Sequence, residues 1–272
     1  MQEVGAFTQY IDLPQLLLYV FFGAFLVLVL YLNRESKREG YPLRSDHRGN
    51  IVEEGYPGTP EPKTYQLLNG RTVSLPSGKT DDERELAAVN GRGPGDPIIP
   101  TGNPMIDGIG TASYAMREDH PDEMINGDPR IVPMSQLSDE YYVATKTDPR
   151  GLSVVAADGE IAGTISDIWL DRMEFLPRYY EVSLNTGGSV LLPMMFANIK
   201  TRRTQNTDGT LAERLMGKET YVNVVSTLAS QFADVPKLKS TSQITLLEED
   251  KICGYYGGGA LYATPERLEP IL

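Results

Sequence analysis

LPQLLLYVFFGAFLVLVLYL, residues 13–32, runs straight into Asn33 and Arg34 and then meets Lys37 and Arg38. Roughly 20 apolar residues at about 1.5 Å rise each are what a helix needs to cross a hydrocarbon core, so this stretch predicts one transmembrane helix. Its only polar side chains, Gln15, Tyr19 and Tyr31, lie near the ends. Asp12 is placed to cap the first turn, and Pro14 sits where a missing N–H costs nothing. A secretory signal would need cations before the apolar run and a small-residue cleavage motif after it. Residues 1–12 hold neither Lys nor Arg, and the run ends in Tyr31-Leu32-Asn33-Arg34. Cations gathered after the span, against a short tail bearing only Glu3 and Asp12, put everything beyond the helix on the cytoplasmic side.

Working outward, 37 acidic against 25 basic residues give a net charge of -12, which argues against a nucleic-acid partner because phosphate recognition needs a basic surface. The sign reverses locally between Arg34 and Arg48, with five cations against three acids, and Arg34, Lys37 and Arg38 are candidate contacts to anionic lipid headgroups. Cys253 is the single cysteine, so no internal disulfide exists, and it is expected to be an inert packed thiol. With His47 and His120 as the only histidines, no Cys/His metal cluster is expected. The span holds no histidine to ligate a haem or chlorophyll, so any pigment belongs to a partner. The Gly23-Ala24 step offers a partner helix a close-approach surface, although a bare anchor would look the same.

From Gly40 to about Gly110 the chain is rich in Pro and Gly and is read as an extended strap lying on a partner. Within it, residues 63–68 and 71–75 around Asn69-Gly70 predict a small hairpin. Gly91, Gly93 and Gly95 do not make a phosphate loop, since Pro94 and Pro97 prevent a helix from opening there. Strands are predicted at 152–156, 160–170, 179–184, 190–193, 197–201 and 221–225, spacing that implies a small antiparallel barrel or sandwich. Residues 204–218 interrupt it, with a helical turn expected around 211–216. Thr245 and Glu248 form a capping box for a C-terminal helix expected to stop at Gly257-Gly258-Gly259.

Four separated motifs carry a resemblance: Arg38-Glu39-Gly40-Tyr41-Pro42-Leu43, Pro100-Thr101-Gly102-Asn103-Pro104, Asp167-Ile168-Trp169-Leu170-Asp171, and Thr245-Leu246-Leu247-Glu248-Glu249-Asp250-Lys251. In this order and spacing, over nearly the whole chain, the sequence resembles the H subunit of the purple-bacterial photosynthetic reaction centre. The resemblance implies a PRC-type β-barrel as the cytoplasmic domain. The organisation expected is a periplasmic tail (1–12), a transmembrane helix (13–33), an extended membrane-surface segment (34–110), the barrel (111–241) and a C-terminal helix and tail (242–272). It further implies a subunit of the bacterial inner, intracytoplasmic membrane that binds no cofactor itself. The L and M subunits it would cap carry bacteriochlorophyll, bacteriopheophytin, quinones and non-haem iron. Membrane lipids and a surrounding light-harvesting ring are the other partners the resemblance brings with it.

Reducing the buried secondary quinone takes two electrons and two protons, and carboxylates suit the delivery because burial and neighbouring charge tune their proton affinity. Asp171 and Glu174, with Arg178 tuning them, match family positions on that route. Held close and partly dehydrated, the pair is expected to titrate as a coupled set with at least one pKa raised. The family's proton entry uses two histidines where this chain has Asn126 and Asp128, so zinc or cadmium inhibition there is not carried over. His120, Asp122, Glu123 and Asp128 are the candidate replacement, an acidic proton-collecting surface. Two other readings stay open: a membrane-anchored hydrolase using Asp171 and Glu174 as acid and base, and a tethered PRC-barrel adaptor.

Overall fold

The computed structural model describes residues 12–41, 43, 55–67, 70–78, 87–89, 96–97, 99–138, 141–145, 147–203 and 218–268. The chain divides into two compact units, Met1–Glu83 and Arg84–Leu272.

The first unit is built on helix α1, Leu13–Ser36. The Asp12 carboxylate accepts from the Gln15 N–H at 2.8 Å, and proline stands in the first turn, so the start is the one the residues dictate. The helix outlasts the apolar run by a turn, because Arg34, Glu35 and Ser36 are compatible with helix and Arg34 complements its negative end. No side chain of α1 is buried; Leu17, Phe22 and Val27 are each more than half exposed. A row of large apolar residues left bare is a surface made for lipid or a partner helix. Strands β1, Lys63–Gln66, and β2, Thr72–Leu75, pair antiparallel with Lys63 opposite Leu75 and Gln66 opposite Thr72. Of the turn between them, Leu68 and Asn69 fall outside the described residues.

The second unit holds a two-stranded ladder, β3 (Ala88–Val89) with β4 (Ile99–Pro100), then the one-turn helix α2, Pro104–Asp107. Seven strands form the main sheet: β5 (Ile131–Pro133), β6 (Ser153–Val155), β7 (Ile161–Asp171), β8 (Leu176–Leu184), β9 (Ser189–Pro193), β10 (Ala197–Arg203) and β11 (Lys218–Val224). Their order is β10-β11-β6-β7-β8-β9, with β5 alongside β7. All pairings are antiparallel except β11 with β6, where Val222 lies opposite Val154. The predicted strands are present within a few residues. Strands β3, β4 and β5 were not anticipated, because they are too short to show a period in sequence. Of the excursion expected at 204–218, residues 204–217 with the helical turn lie outside the described residues, as do Gly91, Gly93 and Gly95, while Lys218 already belongs to β11.

Strand β7 organises the domain. Its first half pairs with β6 and its second with β5, and β8 runs along its length. Burial follows suit: exposed Ile161, Thr164 and Ser166 interrupt the first half, whereas Asp167, Ile168, Trp169, Leu170 and Asp171 are all buried. Helix α3, Leu246–Tyr262, closes the core, sending Ile252, Tyr255 and Tyr256 against Phe232, Phe196 and the strands. Its capping box is formed as expected, Thr245 Oγ1 accepting from the Glu248 N–H at 3.1 Å and Glu248 Oε2 from the Thr245 N–H at 2.9 Å.

The expected stop at Gly257-Gly258-Gly259 is corrected: α3 runs through the glycines to Tyr262. Here glycine serves close approach rather than termination. A Cβ on Gly254 would lie 2.7 Å from the Ala112 carbonyl, one on Gly258 2.5 Å from the Ala112 Cβ, and one on Gly259 2.5 Å from the Ser226 carbonyl. The helix end is instead held by Arg267, whose guanidinium donates to the carbonyls of Gly259 at 2.6 Å, Ser226 at 2.7 Å and Val225 at 3.0 Å.

Candidate functional site

Asp171 is the last residue of β7, and residues 172–175 turn the chain into β8. Its side chain is 1 % exposed. Oδ1 accepts from the backbone N–H of Met173 at 3.0 Å and of Glu174 at 3.1 Å, so the carboxylate pins its own turn. Phe175, with φ of 53°, closes that turn in the left-handed region.

The register of β5 on β7 places Ile131 opposite Asp171, which brings in Arg130, a residue not singled out from sequence. Arg130 grips Asp171 with two groups, Nε to Oδ1 at 3.0 Å and Nη2 to Oδ2 at 2.8 Å. The same guanidinium donates to Glu174 Oε1 at 2.8 Å and to Asp122 Oδ2 at 3.1 Å. Arg178 closes the other side, 2.9 Å from Glu174 Oε2 and 3.3 Å from Asp171 Oδ2. Three carboxylates and two guanidiniums therefore form one connected set.

For Asp171 this geometry works against a raised pKa. Burial works against an ionised Asp171, but the Arg130 hydrogen bonds and the two backbone donors outweigh it, and its carboxyl is held below the ordinary aspartate range. Asp171 is a fixed anion, not a resting place for a proton.

The candidate entry residues divide. Asp122 joins the set through Arg130. Asp128 accepts from Asn126 Nδ2 at 2.8 Å and from Arg172 Nη2 at 3.4 Å, on a short hairpin closed by the Glu123–Pro129 bridge. The Glu123 N–H donates to Asp122 Oδ1 at 3.0 Å. His120 has its Nε2 against Glu118 and its Nδ1 2.9 Å from the Pro121 carbonyl. In the first unit Arg34 is exposed. The Lys37 ammonium is buried on the Pro57 carbonyl at 2.6 Å, and Arg38 binds Glu35 and the Glu61 and Leu75 carbonyls.

Beside the carboxylate set lies a cavity of about 430 Å³, lined among others by Asp122, Arg130, Asp171, Arg178, Tyr179 and Glu249. Glu249 and Tyr179 were also missed. Glu249 follows a capping glutamate and reads as part of an ordinary acidic helix start. Cys253 lines the same cavity, and burial pushes its thiol pKa up, as expected of an inert packed cysteine. Among the described residues no three His, Cys, Asp or Glu side chains converge as metal ligands.

Two family models match the chain. The photosynthetic reaction centre H-chain N-terminal region covers residues 5–136, and the PRC-barrel domain covers residues 143–205. Between them they take in more than two thirds of the sequence, the first spanning α1 to β5 and the second β6 to β10. The chain belongs to the photosynthetic reaction-centre H-chain family. It is thus a reaction-centre subunit that associates with other subunits of that complex, and α1 is consistent with a membrane anchor. Membership also disposes of the free-standing adaptor. Of the two carboxylates that the hydrolase reading needs, Asp171 is held in its ionised form by two arginines, which suits it poorly to act as the acid.

Proposed function

We propose that this H-family chain caps the L and M subunits on the cytoplasmic face of the bacterial inner membrane, steadies their quinone sites and conducts protons to the secondary quinone. In this reading α1 is a single pass with its N-terminus in the periplasm. The pigments, quinones and non-haem iron reside in L and M, and this chain supplies protein surface and proton-active side chains. Lipid headgroups meet the exposed Arg34, while Lys37 and Arg38 brace the chain where it leaves the helix.

The observation that carries the proton role is the continuity of the polar set. Asp122 on an outer hairpin, Glu174 on the β7–β8 turn and Asp171 beneath it share one guanidinium, Arg130. A proton arriving at the outer carboxylates Asp122 and Glu174 stands beside a cavity large enough for several waters, which can carry it onward past the fixed charges of Arg130 and Asp171. The permanent anion at Asp171 holds the two arginines in place and offsets the charge they would otherwise set against an incoming proton.

The test is flash kinetics on the purified complex. Glu174→Gln should slow transfer of the second electron, which waits for its proton, by up to about a hundredfold, while primary charge separation keeps its rate. Second-electron kinetics unchanged between about pH 6 and 9 would remove Glu174 from the route. Absorption spectra of the purified complex, with near-infrared pigment bands and stoichiometric partner subunits, check the assembly itself.

A further inference from the structure

The carboxylates lining the cavity are not equivalent. Asp122 is paired with Arg130, Asp171 with Arg130 and Arg178, and Asp250 with Arg117 at 3.1 Å. Glu249 alone among them has no ion pair within the described residues. Its partner is the phenol of Tyr179, which donates from Oη to Oε2 at 2.8 Å and has Cys253 Sγ 4.0 Å away. Tyr179 is 4 % exposed on β8, immediately after Arg178, so this acid and the arginine set face each other across one space.

The groups around Glu249 oppose one another. Desolvation is the largest influence and favours the neutral acid, and the anions Asp122 and Asp250 add to it. The Tyr179 hydrogen bond and Arg178 favour the carboxylate, as does the N-terminal end of α3. Arg130, Asp171 and Cys253 complete the titratable lining. Desolvation prevails, and the Glu249 carboxyl is pushed above the usual glutamate range. Tyr179 is pushed in the same direction, by burial first and then by Cys253 and Glu249, so it remains a donor throughout.

We propose that Glu249 is the residue of this cavity that holds and releases a proton, with Tyr179 as its hydrogen-bond partner and Asp171 as the stationary counter-charge. The role rests on the proton-route reading above and names its exchangeable site. On release the carboxyl O–H bond breaks, the proton passes to cavity water, and the carboxylate keeps the Tyr179 hydrogen bond. Reprotonation draws one proton from bulk solvent, and no electrons move at this residue.

Two measurements on the intact complex test it. Infrared titration in the dark should show a protonated carboxyl band that bleaches with rising pH and is missing from Glu249→Gln. Tyr179→Phe, which removes a bond favouring the carboxylate, should move that titration to higher pH. In flash experiments the second-electron rate of the parent complex should fall about tenfold per pH unit above this titration, and Glu249→Gln should lack that step. A band indifferent to Glu249→Gln, or a Tyr179→Phe shift to lower pH, overturns the assignment. So does an unchanged rate profile in Glu249→Gln while Glu174→Gln slows the reaction, which leaves the route standing without Glu249. If neither variant alters the kinetics, the route and this site within it both fall.

Discussion

Asp171 illustrates how a residue picked out from sequence can owe its charge state to a partner that its sequence neighbours do not disclose. Its position beside Glu174 is legible in the chain, because both follow a predicted strand at a spacing of three. Arg130, 41 positions earlier, is not legible, since only the register of β5 on β7 brings its guanidinium to the carboxylate. Replacing Asp171 by Asn leaves two arginines facing a neutral amide in a buried place and should cost about 3 kcal/mol in denaturant unfolding. The pH dependence has a definite sign. A depressed folded pKa means the stabilisation is full above the unfolded value near 4 and is lost as pH falls through the folded one. Asp171→Asn should therefore flatten the acid limb of the stability profile. Glu249 acts the other way: its raised pKa makes ionisation costly to the fold, a cost that appears as pH rises from the unfolded value to the folded one. Glu249→Gln should flatten that limb.

At the scale of elements, what was readable depended on how local the signal was. The capping box, the Asp12 cap and the longer strands follow from neighbours in sequence, and the structure has them where they were expected. The Gly257-Gly258-Gly259 run of α3 misleads because glycine stops helices in isolation but opens a packing face when another backbone lies within reach. A methyl at Gly258 gains about 1 kcal/mol of helix propensity, against roughly 1–3 kcal/mol for overpacking at a 2.5 Å approach. Gly258→Ala should therefore lower the thermal midpoint, and adding Ala112→Gly should recover much of the loss, a coupling that a double-mutant cycle quantifies. Gly23 on α1 is the counterexample, since a methyl group added there would meet nothing within 4 Å. Gly23→Leu should leave the helix intact by circular dichroism yet reduce co-purification of the partner subunits, if helix packing in the membrane uses that notch.

For the molecule as a whole, the division between an apolar rod and an acidic sheet domain was visible from composition alone, whereas the joining of β6 to β11 was not. Placing an arginine at Leu26, in the middle of α1, should cost about 2.5–3.5 kcal/mol of insertion and shift the chain from the carbonate-resistant membrane fraction to the soluble one. The parallel pair matters for another reason. Residues 154 and 222 sit side by side although 68 positions separate them, and nothing between them can complete the sheet until the later strand has left the ribosome. The hydrophobic rod emerges long before that. Biogenesis is therefore ordered by the chain itself: the apolar helix is made first, and the sheet domain acquires its final strand pairing last, as a body already joined to that helix.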